Sequence, residues 1–169
     1  MPVYYPVRRM GITLEEEEFI ARRLQQISVD GEVLDVGCGN CMIPILLAKK
    51  WGKRIHAADI WDEFPMEQAM KNAKEEGVEL TFMKISRPDI VLPFQDSSLE
   101  MVYSVMFVYN LRKEERQKLF SEVHRVLKKG GLFLIVDPVI VRRERKELVN
   151  FSEVSYREEN ALFYYLTRK

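Results

Sequence analysis

Strand-like and helix-like segments alternate through most of this 169-residue chain. The strand-like segments are short, almost continuous apolar runs, and most are followed by a segment with apolar residues along one helical face. Such strands are buried on both faces, as in a parallel sheet with helices on either side. Residues 151–156 and 162–166 instead predict two strands joined by a tight turn at 158–160. The pattern therefore predicts an α/β fold with a mostly parallel sheet and an antiparallel last strand.

The element boundaries follow from apolar spacing and from residues that begin or end helices. Helices are predicted over 14–27, 42–51, 66–76, 112–127 and 141–149, and the other strands over 32–36, 54–58, 80–85, 99–107 and 132–136. Thr13 and Glu16 have the spacing of a capping box, and Gly130 and Gly131 are expected to close the helix before them. One domain is predicted, with an N-terminal arm and helix (1–30) and a cofactor-binding core (31–169).

Composition limits the classes of partner and location. Lys and Arg together number 26, as do Asp and Glu, so the formal net charge is zero. No overall field therefore favours nucleic acid or an anionic membrane. No apolar run reaches transmembrane length, and the N-terminus lacks a signal-peptide pattern. Two cysteines in such a chain predict a reducing, cytoplasmic location.

The segment VLDVGCGNC, at positions 33–41, contains two overlapping patterns. Cys38 and Cys41 form a C-x-x-C pair, as in a dithiol redox site or half of a metal site. Asp35, Gly37 and Gly39 form a glycine loop after a strand, as in nucleotide-type cofactor sites. No metal site is predicted, because further ligands with suitable spacing are missing from the sequence. The chain also has more strand units than a small redox fold needs, so the glycine loop is the favoured interpretation.

The chemistry of this loop favours a cationic adenosyl cofactor. Met42 stands where a dinucleotide loop has its third glycine. Asp35, at the mouth of the loop, would repel a phosphate and attract a cation. Asp59 follows the second strand, about 20 residues past the loop, where a carboxylate can accept hydrogen bonds from a ribose diol; a helix cap is its alternative role. S-adenosylmethionine, with an adenosyl group, an ammonium and no phosphate, suits this layout.

Four stretches of the chain resemble the class I S-adenosylmethionine-dependent methyltransferases, especially the small-molecule branch that includes quinone-biosynthesis methyltransferases. The stretches are VLDVGCG (33–39), Asp59, LPFQDSSLEMV (92–102) and LKKGGLFLIVD (127–137). The resemblance implies a Rossmann-like seven-stranded sheet with helices on both faces. It also implies S-adenosylmethionine as cofactor and S-adenosylhomocysteine as product, without a metal.

The resemblance assigns a role to individual positions along the cofactor. The implied binding residues serve the methionine part (Asp35, Gly37, Cys38, Gly39), the ribose (Asp59), the adenine (Ile60, with Ser86 or Asp89) and the region near the sulfonium (Ser104, Val105). The chain departs from the family pattern at Cys41, where glycine is usual, and before Leu92, where the usual G-D-A is absent. The second departure leaves the adenine contact open between Ser86 and Asp89.

The acceptor is less defined than the cofactor. Tyr109 is the candidate for acceptor contact, with simple packing as its alternative, and Asp137 is the candidate base. The absence of N-P-P-[YF] after the fourth strand argues against methylation of nucleobase amines. Because the core uses nearly the whole chain, the N-terminal arm with Arg8 and Arg9, a second subunit or a partner protein is expected to complete the acceptor site. The favoured function is methyl transfer from S-adenosylmethionine to a small or medium-sized acceptor. The alternatives are a cofactor-binding scaffold without activity and, less favoured, a dithiol redox protein.

Overall fold

The structure, a computed structural model, describes residues 1–5 and 11–169. The helices in these residues are α1 (Leu14–Leu24), α2 (Met42–Trp51), α3 (Met66–Glu75) and α4 (Lys113–Val126). The strands are β1 (Val33–Val36), β2 (Ile55–Asp59), β3 (Leu80–Lys84), β4 (Leu99–Val105), β5 (Leu127–Pro138), β6 (Ser152–Glu159) and β7 (Leu162–Arg168). Two 3-10 segments, Val108–Asn110 and Val139–Glu147, follow β4 and β5.

The strands form one seven-stranded sheet in the order β3-β2-β1-β4-β5-β7-β6. The pairs from β3 to β5 are parallel, whereas β7 is antiparallel to both β5 and β6. The predicted Rossmann-like sheet with an antiparallel last strand is therefore confirmed. The strand order reverses at β1, and open α/β sheets bind their ligands at the carboxyl ends of the strands beside such a point.

Helices cover both faces of the sheet. On one face, Leu24 of α1 and Leu47 of α2 lie in the same buried cluster as Val33 of β1. On the other face, Val123 of α4 packs in a second cluster with Leu34. Both faces of β1 are thus buried, which explains why its sequence is a continuous apolar run interrupted only at one acidic position.

The first helix begins as its sequence predicts. Thr13 is the N-cap of α1, and its side-chain oxygen accepts a hydrogen bond from the backbone N–H of Glu16 at 3.1 Å. This contact satisfies one of the N–H groups that the first turn leaves without a helical partner. The helix ends at Leu24, three residues before the predicted end.

The prediction that Gly130 and Gly131 close a helix is wrong. The helix ends at Val126, and β5 begins at once with Leu127. Both glycines lie inside β5, where Gly130 N donates to Lys169 O at 3.0 Å and Lys169 N donates to Gly131 O at 2.9 Å. Pairing with the last residue of the chain, which local spacing does not reveal, extends this strand.

The helix predicted over 141–149 is present only in part, as a 3-10 helix with different bounds. The chain forms the 3-10 segment Val139–Glu147, which is interrupted at Val141 by non-helical angles (φ −105°, ψ 16°). No residue of this segment is fully buried. Arg116 of α4 holds it by donating from Nε to Glu147 Oε1 at 2.8 Å. Ion pairs from Arg116 and packing of Val139 and Val141 against the core together attach this segment.

Candidate functional site

A narrow cleft opens at the carboxyl ends of β1, β2 and β4, where the strand order reverses. Its walls come from the loops that follow the first four strands. The lining residues are Gly37, Gly39, Asp59, Ile60, Asp62, Glu63, Arg87, Met106, Phe107 and Asn110. The first four of these are predicted cofactor residues, which the structure brings together in one cleft.

Gly37 is the tightest point of the glycine loop. Its φ is +81°, and a Cβ built on it would lie 2.3 Å from Cγ of Phe107. Its N–H donates to the carbonyl of Ala58 at 2.8 Å, which holds the loop against the end of β2. Only glycine fits this backbone conformation and this close approach. A side chain here would also intrude on the cleft that both residues line.

Asp59 joins the ends of β1 and β2. Its Oδ2 accepts from Gly39 N at 2.8 Å and its Oδ1 accepts from Trp61 N at 2.9 Å. Each carboxylate oxygen retains a second lone pair. The helix-cap alternative is not observed, because α3 begins at Met66 with Pro65 as its N-cap residue. The carboxylate is thus fixed in orientation at the cleft, as a ribose-binding group needs to be.

Two buried carboxyl groups adjoin the glycine loop on the α1 side. Asp35 is 2% exposed and Glu17 of α1 is 1% exposed. Burial raises the pKa of Asp35 well above its usual value, and the charges of Asp59 and Glu17 raise it further. Asp35 lies within β1 and outside the cleft lining, deeper than the loop mouth where it was expected. Its place as a cofactor ligand remains a prediction.

Glu17 was not anticipated from the sequence. It belongs to a run of four glutamates, 15–18, which reads as a solvated helix face. In the structure its Oε2 accepts from Nδ2 of Asn40, in the glycine loop, at 2.8 Å. Within the described part of the chain, Oε1 is buried and has no hydrogen-bond partner. Only the direction of this side chain distinguishes it from its exposed neighbours.

We expect Glu17→Gln to stabilise the protein at alkaline pH. Burial raises the pKa of Glu17 from 4.5 to about 7, so the folded state retains a proton that the unfolded state releases. The free energy of unfolding therefore falls as pH rises from about 4.5 to about 7, and it stays lower above pH 7. Glutamine keeps an acceptor for Asn40 without the charge. Urea unfolding should show a gain of up to about 3 kcal/mol at pH 8 and little change at pH 5.

Glu18→Gln is the matched control for this measurement, because Glu18 is exposed on the same helix. It should leave the pH dependence of unfolding unchanged. An equal gain at pH 5 and pH 8 for Glu17→Gln would contradict ionisation of Glu17 as the cause.

The two cysteines are close but unsuited to redox chemistry. Cys38 and Cys41 are free, both are buried, and their Sγ atoms are 3.0 Å apart. Burial raises the pKa of both thiols. A reactive dithiol site needs a lowered thiol pKa and access to its partner. Cys41 also adopts φ 62°, the left-handed conformation for which the family pattern has glycine.

The two alternative candidates for the adenine amine, unlike Ile60, lie outside the cleft lining. Ser86 and Asp89 are exposed, and the Asp89 carboxylate is 3.7 Å from the ammonium of Lys118. Both follow β3, whose carboxyl end is on the far side of β2 from β1. Either adenine contact remains a prediction, since the loop would have to turn one of these side chains inward.

Arg87, between these two positions, is the residue of this loop that lines the cleft. Its Nε and Nη2 donate to the two carboxylate oxygens of Glu115 at 2.7 and 2.8 Å, and Nη2 also donates to Asn110 O at 3.1 Å. The guanidinium lowers the pKa of Glu115 to about 2. Arg87 thereby ties the loop after β3 to the loop after β4. An arginine–glutamate pair 28 residues apart leaves no local signal in the sequence.

The predicted residues near the methyl group and acceptor are mostly enclosed. Ser104 and Val105 are buried at the end of β4, and Tyr109 is half-buried against the α1 side of the core. Asp137 is 1% exposed, and burial raises its pKa well above the usual value. Neither Tyr109 nor Asp137 is among the cleft-lining residues. The acceptor roles of both residues stay predictions.

The arm residues Arg8 and Arg9 lie outside the described residues. Within residues 1–5 and 11–169, no three His, Cys, Asp or Glu side chains are arranged to hold a metal ion. No helix in the same ranges has both the length and the apolar character needed to cross a bilayer.

A protein family described as "Methyltransferase domain" matches residues 33–131, more than half of the chain. Among curated proteins, the chain is 32% identical over 140 residues to a ribosomal protein L11 methyltransferase of Thermoanaerobacter pseudethanolicus, covering 81% of this chain and 42% of that protein. The chain thus spans about half, or less, of the length of the first curated relatives it matches.

Solved structures share the fold over nearly the full chain. The PH0226 protein of Pyrococcus horikoshii superimposes with a TM-score of 0.76 at 18% identity, covering 99% of this chain and 95% of that one. An S-adenosylmethionine-dependent methyltransferase of Mesorhizobium loti superimposes with a TM-score of 0.71 at 14% identity, covering 90% and 98%.

Proposed function

Because this chain belongs to the class I S-adenosylmethionine-dependent methyltransferases, we propose that it transfers the cofactor's methyl group to a small-molecule acceptor. The observation that carries the proposal is the cleft in which Gly37, Gly39, Asp59 and Ile60 meet at the reversal of strand order. Family membership makes S-adenosylmethionine the cofactor. The acceptor and the residues that contact it are the parts proposed.

The residues of the cleft fit an adenosyl cofactor. Gly37 lets Phe107 approach the loop closely at the cleft, Asp59 offers fixed acceptors, and Ile60 supplies an apolar wall. When bound, S-adenosylmethionine supplies an activated methyl group on a sulfonium. The protein's contribution is then to orient the two reactants for in-line displacement and to exclude water.

The cleft carries more negative than positive side chains. Asp59, Asp62 and Glu63 line it, and Arg87 is the cation among its described lining residues. A cofactor with a sulfonium and an ammonium is favoured by this charge balance, whereas a pyrophosphate is disfavoured. The same balance separates this site from that of a dinucleotide enzyme.

The acceptor site needs a further wall that comes from outside the cleft. Tyr109 and Asp137, the acceptor-side candidates, do not line it. The N-terminal arm, a second subunit or a partner protein would then supply the missing wall. In this arrangement Tyr109 contacts the acceptor only after the wall is in place, and Asp137 acts as a base only if its carboxyl group becomes accessible.

Titration calorimetry with S-adenosylhomocysteine is the first test. We expect saturable binding with one site per chain. Methyl-labelled S-adenosylmethionine should then label a small-molecule fraction of cell extract in the presence of the protein. Label found only in the protein fraction would indicate that the acceptor is a protein and not a small molecule. Binding without transfer to either fraction would favour the scaffold alternative, and absence of binding would contradict the proposal.

A further inference from the structure

A second cleft lies between the C-terminal end of α1 and the face of strands β5, β7 and β6. It has a volume of about 130 Å³ and shares no lining residue with the cofactor cleft. Sites for drug-sized ligands measure roughly 300–1,000 Å³, so this cleft suits a smaller molecule. Its lining combines aliphatic side chains with two arginines and a tyrosine, which is the composition of a site for an amphiphilic anion.

The aliphatic part of the lining is continuous with the protein core. Leu24 of α1 and Leu134 of β5 are buried in the cleft, and Ile27 and Leu166 are half-buried beside them. All four belong to, or pack against, the buried cluster on the α1 side of the sheet. Leu166 of β7 is the register partner of Leu134. An apolar ligand group placed here would therefore leave water for an aliphatic surface.

Two arginines give the cleft an excess of positive charge. Arg23 donates from Nε and Nη2 to the two carboxylate oxygens of Glu159 at 3.0 and 2.7 Å. Arg157 donates from Nη2 to Glu159 Oε2 at 3.1 Å. One carboxylate thus serves two guanidinium groups, and most of the five N–H donors of each are not engaged by it. The cleft therefore retains both charge and donors for an anion.

Tyr164 adds a hydroxyl group that lacks a partner in the described ranges. The side chain lines the cleft and is 5% exposed, and its hydroxyl has no hydrogen bond within residues 1–5 and 11–169. Burial raises the pKa of Tyr164 to about 12, so the hydroxyl is protonated and can donate at neutral pH. Arg157 of β6 is the register partner of Tyr164. Buried hydroxyls in folded proteins usually have a partner, and a ligand oxygen would supply one here.

We propose that this cleft binds a small organic acid, with its carboxylate between Arg157 and Tyr164 and a short aliphatic chain against the apolar lining. A carboxylate accepts charge-assisted hydrogen bonds from a guanidinium and a hydroxyl together, and its charge is opposite to that of the cleft. An inorganic phosphate would satisfy the donors but leave the aliphatic lining unused. The site is additional to the proposed methyl transfer and does not depend on it.

Heteronuclear NMR titration of the full chain with hexanoate tests the proposal. We expect saturable shifts with a Kd of about 1 mM, which is within the reach of so small a ligand. Hexanamide has the same chain without the charge, and acetate has the carboxylate without the chain. Each should bind at least about tenfold more weakly than hexanoate.

Two variants locate the carboxylate. Tyr164→Phe and Arg157→Gln should each weaken hexanoate binding about tenfold, because each removes a donor to an ionised group. Thermal unfolding checks that both variants are folded, and Tyr164→Phe removes no hydrogen bond between described residues. Tyr156→Phe is the matched control, since Tyr156 donates to Glu158 at 2.8 Å and packs against the cluster on the other face of the sheet. It should bind hexanoate as the wild type does.

Saturating S-adenosylhomocysteine should leave the affinity for hexanoate unchanged, because the two clefts share no lining residue. Displacement of hexanoate would place the acid in the cofactor cleft and overturn the inference while leaving the proposed function intact. Titration shifts that do not saturate, or equal affinity for hexanamide or acetate, would also overturn it. So would unchanged affinity in either Tyr164→Phe or Arg157→Gln.

Discussion

Replacing Gly37 with alanine is expected to abolish binding of S-adenosylhomocysteine and to destabilise the protein. The new Cβ would lie 2.3 Å from Cγ and 2.5 Å from Cβ of Phe107, the near end of that side chain, so rotation of the ring cannot relieve the overlap. The φ of +81° adds the strain of a left-handed conformation. Overlap and strain together should lower the free energy of unfolding by about 3 kcal/mol.

Gly77→Ala separates the two contributions. Gly77 also has a positive φ, +70°, but a Cβ there would meet nothing within 4 Å. It should cost only about 1 kcal/mol and leave ligand binding intact. Phe107→Ala in the Gly37→Ala background should restore part of the lost stability, because the overlap disappears. Thermal unfolding and calorimetry measure both effects, and equal behaviour of the two glycine variants would contradict close approach as the reason for Gly37.

The fold was predictable because its signal is repeated along the chain. The central parallel strands β1, β2 and β4 are buried on both faces, and an apolar run followed by a helical stripe recurs from Val33 to Val136. The errors occur where the deciding contact is distant in sequence. Gly130 was expected to end a helix, but pairing with Lys169 extends β5 through it. Such pairing leaves no trace in the residues around the glycine.

The site was predictable where its residues stand at the ends of strands, and not where a distant partner decides their role. Gly37 and Asp59 were identified because both sit at the end of a strand, and parallel strands bring their carboxyl ends to one edge. Glu17 and Arg87 were missed because their roles depend on side-chain direction and on partners 23 and 28 residues away. Charged residues at such positions look like ordinary surface until the fold turns them inward.

Asp35 illustrates how far charge arguments from sequence extend. The carboxyl group does adjoin the glycine loop, as the pattern D-x-G-x-G indicates, but burial raises its pKa well above the usual value. A carboxyl group that resists ionisation is a weak attractant for a distant cation. It becomes a strong acceptor once a donor arrives beside it. The charge preference of the site therefore depends on Asp59 at the cleft as much as on Asp35 beneath it.

Asp59→Ala is expected to reduce the affinity for S-adenosylhomocysteine by a hundredfold or more, on the order of 3 kcal/mol. The substitution removes the acceptors proposed for the ribose hydroxyls. It also removes the carboxylate that accepts from Gly39 N at 2.8 Å and from Trp61 N at 2.9 Å, so the loop loses one of its attachments to the end of β2. Asp59→Asn should bind nearly as poorly, since its amide would face one of these two N–H donors with another donor. Asp30→Asn, at an exposed position, is the matched control and should bind normally.

A second ligand tests the ribose contact directly. 5′-Methylthioadenosine is the same adenosyl thioether as S-adenosylhomocysteine without the amino-acid end, and both contain the ribose. Calorimetry on Asp59→Ala should therefore show a loss of affinity in equal proportion for the two ligands. Retained affinity of Asp59→Ala for 5′-methylthioadenosine would contradict ribose binding at the end of β2 and leave Asp59 as a structural link between two strands.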